Sequence, residues 1–132
     1  MAVVLDTHAA IWYLSNSDQL SPAGLNAIES ATQAGEDLFL SAISLVEVIY
    51  LAEKGRLPAR AMEKLQDALQ DADSCMVVTP LDFGVAQAVA GISRTTVPDM
   101  PDRIIAATAA HLGVPLVTRD RRIQMAGINT IW

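Results

Sequence analysis

The sequence predicts an α/β domain of three layers, α/β/α, with helices covering both faces of a central, mainly parallel sheet of about five strands. Three observations predict it. Short apolar runs, each too brief for a helix, are bounded by polar or turn residues. Longer segments with helical spacing of apolar residues separate those runs. Strands that alternate with helices need crossover connections, and crossovers produce parallel sheets buried on both faces.

The elements follow in order. Val3–Leu5 is the first strand candidate and ends on Asp6; His8–Leu14 has helical spacing behind it. Ser21–Gln33 reads as a second helix and Leu38–Leu40 as a second strand. Two helices, Ser44–Lys54 and Ala59–Asp71, precede a third strand, Met76–Val78. Asp82–Ile92 and Asp102–Leu112 are the next helices, Leu116–Val117 is the fourth strand, and Ile128–Ile131 is the fifth. A short helical turn fits Arg121–Met125, and Gly55 and Gly113 stand where helices would end.

No repeat, low-complexity tract or Pro/Gly/Ser-rich linker divides the chain, so one domain over residues 1–132 is expected. With 52% hydrophobic and 18% charged residues it is core-rich rather than disordered. No apolar run reaches the roughly eighteen residues that span a bilayer, and no basic-then-apolar leader opens the chain. A cytoplasmic protein without a membrane partner is expected. The single cysteine, Cys75, has no internal disulfide partner, makes no cysteine-based metal site alone, and is expected to be buried and inert. The formal charge of −6 argues at first against a nucleic-acid partner. If several of the fifteen acids are gathered around metal ions, however, the remainder nearly balances the nine Lys and Arg residues. Net charge therefore does not decide the partner.

In such sheets, ligands gather at the carboxyl ends of the strands near the point where strand order reverses. Acids recur there. Asp6 follows the first strand, Glu47 lies in the expected first turn of the helix after the second, and Asp120 follows the fourth. Asp102, with Asp99 nearby, opens the helix before that fourth strand. Gathered carboxylates repel one another unless protons or cations neutralise them, and an all-oxygen set suits Mg2+ or Mn2+ better than zinc. Each acid also has a plainer reading as a helix cap: Ser44 to Glu47 fits a capping box, and Asp6, Asp99, Asp102 and Asp120 all stand at helix starts. Asp82 is assigned to capping alone. His111, at an Ala-rich helix end, reads as a C-terminal helix charge, whereas His8 lies two residues from Asp6 and lines the same edge. No GxSxG, GxxxxGK[ST] or GxGxxG motif is present, so triad-hydrolase, P-loop and dinucleotide readings lack support.

Three stretches carry a resemblance: VVLDTHAAIWYL, SAISLVEVIYLAEKGRL and PDMPDRIIAATAAHLGVPLVTRDRRIQ. The combination of LDTH, S-x-x-E, D-x-x-D-R-x-I-A and L-V-T-x-D, in that order, resembles the PIN-domain ribonucleases, in particular VapC-type toxins of bacterial toxin–antitoxin pairs. The resemblance implies a PIN-like fold and a single-strand-specific endoribonuclease dependent on Mg2+ or Mn2+. Carried over, the catalytic and metal-holding acids are Asp6, Glu47, Asp102 and Asp120, with Asp99 near the rim. Thr7 and Thr118 are expected to donate hydrogen bonds to a carboxylate or phosphate, and Arg103 and Arg119 to stand at the rim near RNA, although pairing of Arg103 with Asp99 is an open alternative. A second basic group, Lys54, Arg56, Arg60 and Lys64, follows the Glu47 helix. Trp12 and Tyr13 read as core or partner-groove residues.

The partners implied are RNA, a VapB-like antitoxin, a second copy of the chain, and operator DNA through the antitoxin only. Three other readings compete. One is a PIN nuclease of RNA processing that is no toxin; another is a PIN-like fold kept for binding alone. The third is a receiver-like Mg2+ module, which needs an Asp after the middle strand and a Lys at the last. The chain has Pro80 after VVT and no lysine beyond Lys64.

Overall fold

The computed structural model describes residues 1–132. Five strands form one sheet: β1 (Val3–Leu5), β2 (Leu38–Ser41), β3 (Met76–Thr79), β4 (Leu116–Val117) and β5 (Thr130–Ile131). Their order across the sheet is β3-β2-β1-β4-β5, and every neighbouring pair is parallel. The helices are α1 (Thr7–Leu14), α2 (Pro22–Gln33), α3 (Ala42–Glu53), α4 (Ala59–Gln70), α5 (Phe83–Ala88), α6 (Met100–Leu112) and α7 (Arg121–Gln124). Parallel neighbours forbid tight hairpins, so each connection carries a helix and the layers follow.

The side-chain period of two divides the sheet between two cores. Val3, Leu5, Leu38, Leu40, Met76 and Val117 belong to one cluster together with Ala9, Ile28, Val48 and Leu65 from the helices on that side. Val4 and Leu116 belong to the other, with Ile105, Ala106, Ala107 and Ala109 of α6. The small alanines let α6 lie close against the strands. Each fully buried Leu, Ile or Val contributes about 1.5–3 kcal/mol relative to exposure, and most of β1 is buried to 1% or less. Central strands of parallel sheets are covered on both faces, which is why VVL shows no polar alternation.

The strands and most helices fall within a residue of where the sequence places them, with differences of two residues or more at four ends. Helix α3 begins at Ala42, capped by Ser41, so Glu47 lies in its second turn rather than its first and the Ser44–Glu47 capping box does not form. The Ser44 hydroxyl is buried against Thr7 instead. Helix α6 starts earlier, at Met100, because Asp99 supplies the cap and Pro101 has the backbone angle of a first turn. The segment expected to be helical through Ile92 stops as α-helix at Ala88 and tightens into a 3-10 turn, Val89–Gly91. The fifth strand is shortened to Thr130–Ile131.

Gly113 ends α6 at φ +68°, a left-handed position glycine takes without strain. Asp82 caps α5 by accepting from the Val85 amide. Cys75 is half-buried rather than fully buried, its thiol 4.0 Å from the Thr32 carbonyl. No helix is long and apolar enough to cross a membrane.

Strand order decides one competing reading. A receiver-like sheet runs 2-1-3-4-5, whereas this one runs 3-2-1-4-5. The receiver reading is excluded. The reversal of order lies between β1 and β4, so the carboxyl ends of those two strands flank the crevice where a ligand is expected.

Candidate active site

Register brings the residues after the strands into one row. Leu5 pairs with Leu40 and with Val117, so Asp6, Ser41 and Thr118 emerge side by side. Asp6 caps α1 through Oδ1, 2.8 Å from the Ala9 amide. Asp120 caps α7, accepting from Arg122 and Ile123 at 2.8 and 3.3 Å. Asp99 caps α6, accepting from the Asp102 amide at 3.2 Å. Three of the acids are therefore caps and members of a pocket at once, since a carboxylate that caps a helix keeps further lone pairs for other partners.

The pocket is an open cleft of about 410 Å³ lined by Asp6, Thr7, His8, Trp12, Glu47, Asp99, Asp102, Arg119 and Asp120. Five carboxylates from four parts of the chain thus face one space. Asp102 projects into it from the first turn of α6 and Glu47 from the second turn of α3. Thr7 is buried and its hydroxyl lies 2.6 Å from Glu47 Oε1 and 2.9 Å from Ser44 Oγ. A carboxylate only accepts, so Thr7 donates to Glu47 and takes its own hydrogen bond from Ser44.

Electrostatics follow from crowding. Burial, then the charges of Asp99, Asp120 and Glu47, push the Asp102 carboxyl up to about 7. Glu47 is raised by burial, against which the Thr7 hydrogen bond works, with Asp99 adding to the rise. Asp6 is raised chiefly by burial and lowered by hydrogen bonds from Thr118 and the Ala9 amide. Raised carboxyls at one crevice mark a place where negative charge is costly and a proton or cation is favoured.

Two of the expected residues sit elsewhere. Thr118 is fully buried beneath the pocket floor, where its hydroxyl accepts from the Asp120 amide at 3.0 Å and supports Asp6. It orients acids and is not at hand for a phosphate. Arg103 is a correction. Its guanidinium donates to the carbonyls of Ile92 (3.0 and 2.8 Å) and Val89 (3.0 Å), and it neither lines the pocket nor pairs with Asp99. The reason is helical geometry: one residue beyond Asp102 lies about 100° round α6, which turns Arg103 towards the 3-10 turn after α5. Arg119 does reach the pocket.

His8 lines the pocket as its place two residues from Asp6 leads one to expect, and Trp12, read as a core or partner-groove residue, lines it too, four residues further along α1.

The donor set is chemically that of a hard divalent cation, oxygen from carboxylates with no thiol nearby. As positioned, no three acidic or imidazole side chains close on one point at ligand distance. The set fits an ion held by one or two carboxylates with water completing its shell, the usual arrangement for Mg2+.

An all-parallel sheet with this crevice and an acid-lined pocket defines a class, and comparison with known proteins names it. The PIN-domain family model matches residues 3–128, and the chain belongs to that family. Within it, the chain is 37% identical over 122 residues to ribonuclease VapC22 of Mycobacterium tuberculosis, covering 92% of this chain and 89% of that protein. Among solved structures it is similar to VapBC2 from Rickettsia felis bound to a promoter DNA fragment, with a TM-score of 0.72 at 17% identity over 98% of this chain and 97% of that one. A toxin–antitoxin complex from Klebsiella pneumoniae is similar at a TM-score of 0.66 and 22% identity, over 96% and 92%.

Proposed function

We propose that the protein is an endoribonuclease that hydrolyses RNA phosphodiester bonds with Mg2+ or Mn2+, and that it is the toxin of a VapBC-like pair. The observation that carries this is the gathering of Asp6, Glu47, Asp99, Asp102 and Asp120 around one cleft, where burial and neighbouring carboxylates raise Asp6, Glu47 and Asp102. Likeness to ribonuclease VapC22 over most of both chains supports the toxin role over a processing nuclease. An antitoxin partner is supported by the toxin–antitoxin complexes that share the fold.

In this reading Asp6 and Asp102 would be the leading residues to hold the ion, with Glu47 and Asp120 beside them. A divalent ion there supplies Lewis-acid charge beside the phosphoryl oxygens and a water of lowered pKa. The chain's own work is orientation. Thr7 fixes one oxygen of Glu47, and Thr118 ties Asp6 to the Asp120 amide. Asp120, at the strand end beside Asp6, is placed to accept a proton from an attacking water, and Arg119 to meet the substrate's phosphate charge. A dimer, a VapB-like partner and operator binding through that partner belong to the same proposal.

Purified protein incubated with single-stranded RNA and Mg2+ or Mn2+ should give defined fragments, and EDTA should stop the cleavage. Asp6→Asn and Asp102→Asn should each abolish it. Cleavage unchanged in both variants overturns the assignment. Growth arrest on expression, relieved by a neighbouring antitoxin gene, separates toxin from processing nuclease.

A further inference from the structure

An arginine beside five carboxylates should fold onto one of them. Arg119 does not. The chain's only ion pair joins the Met1 amino group to Glu36, so no carboxylate oxygen lies within pairing distance of the Arg119 guanidinium. That guanidinium instead lies over the Trp12 ring, 4.9 Å from its centroid. The ring is itself wedged. His8 packs at 5.6 Å from one direction along α1, and Trp132, after β5, at 5.9 Å from another. Trp12 is half-buried and packs against the core, while Arg119 is exposed.

We propose that Trp12 is a positioning residue whose indole holds Arg119 at the pocket rim, unpaired with the acids and free to engage a backbone phosphate of single-stranded RNA. The inference rests on the ribonuclease reading. Stacking on an indole face attracts a guanidinium through the ring's quadrupole, yet leaves the outward N–H donors available for bidentate phosphate contact. A salt bridge to Asp120 or Asp99 would consume those donors. Without Arg119, the charged groups that the cleft presents to an approaching phosphate would be five carboxylates, with His8 beside them. The seat therefore supplies the positive element of a strongly negative cleft.

The test uses binding in EDTA, so that it does not depend on turnover. Affinity of the full chain for a fluorescein-labelled single-stranded RNA oligomer is measured by anisotropy across a range of KCl concentrations. Arg119→Gln should weaken binding by about tenfold and lower the salt slope by about one released counterion. Trp12→Leu should lower the slope by the same amount, and Trp12→Phe should restore most of it. In the Arg119→Gln background, Trp12→Leu should have no further effect on affinity. A chromatographic and circular-dichroism check establishes that each variant is folded, and Trp12→Phe keeps the test open if Trp12→Leu is not.

An unchanged salt slope in Trp12→Leu and Trp12→Phe, with Arg119→Gln still impaired, overturns the seat and leaves the ribonuclease reading intact. Additive losses in the double variant overturn it too, because they make Trp12 a direct base contact. If the wild-type chain binds no RNA in EDTA and cleaves none with Mg2+ or Mn2+, the ribonuclease reading itself falls.

Discussion

The hydroxyl of Thr7 lies 2.6 Å from Oε1 of Glu47, forty residues away in the chain and on a different helix. That contact ties the first turn of α1 to α3 and fixes one side of the acid cleft. Thr7→Val keeps the shape and removes the donor, leaving the Ser44 hydroxyl buried without its partner. The expected loss is about 1–3 kcal/mol in urea unfolding, with Thr7→Ser close to wild type. Equal stability of Thr7→Val and wild type would show the contact to be idle.

Crowding at Asp102 sets a pH dependence whose sign is fixed. Its folded pKa of about 7 lies above the ordinary 3.8, so between those values the folded state binds more protons than the unfolded one. Stability from this group is therefore fully present below about 4 and is lost as pH rises through about 7. Asp102→Asn should raise Tm at pH 8 by several degrees and change it little at pH 4, both in EDTA. A larger gain at pH 4 than at pH 8 contradicts the crowding argument.

Arg103 makes the opposite case. Its three hydrogen bonds to the carbonyls of Val89 and Ile92 pin the turn between α5 and α6. Arg103→Met should cost about 1.5–3 kcal/mol of stability, the range for hydrogen bonds from a charged group. Its affinity for single-stranded RNA and the salt slope should stay at wild-type values. A reduced slope would return Arg103 to the substrate path.

Gly84 faces His111 across the α5–α6 contact, and a Cβ there would stand 2.6 Å from the imidazole Cε1. The ring belongs to an exposed side chain and has room to swing aside. Gly84→Ala alone should be nearly neutral, since the helical gain of about 1 kcal/mol is offset by displacing the ring. In a His111→Ala background the same change should stabilise by about 0.5–1 kcal/mol. The same effect in both backgrounds would deny the contact.

How much of this was legible in the sequence depends on the range of the interaction. VVL and LFL could be placed as strands because a covered sheet leaves a continuous apolar run, and MVV could be placed by its short β-branched run although Val78 of this edge strand is exposed. Their order could not be read, because pairing β1 between β2 and β4 is a matter of packing between distant segments. The convergence of Asp6, Glu47, Asp99, Asp102 and Asp120 was legible from strand ends combined with the crevice rule. Arg103 was misplaced because adjacency in sequence was taken for adjacency in space, while a helix turns neighbours about 100° apart. Ser44 was read locally as a cap, when its partner Thr7 lies 37 residues back. Neither contact leaves a periodic trace.

The central place of β1 also bears on when the cleft is assembled. Val4 is made well before one of its two strand neighbours, Leu116. Until the ribosome has released β4, the near edge of β1 is unpaired and Asp120 does not exist to face Asp6. Parallel pairings of such long sequence separation form late. A chain not yet extended to β4 therefore carries its acids apart and cannot assemble the cleft.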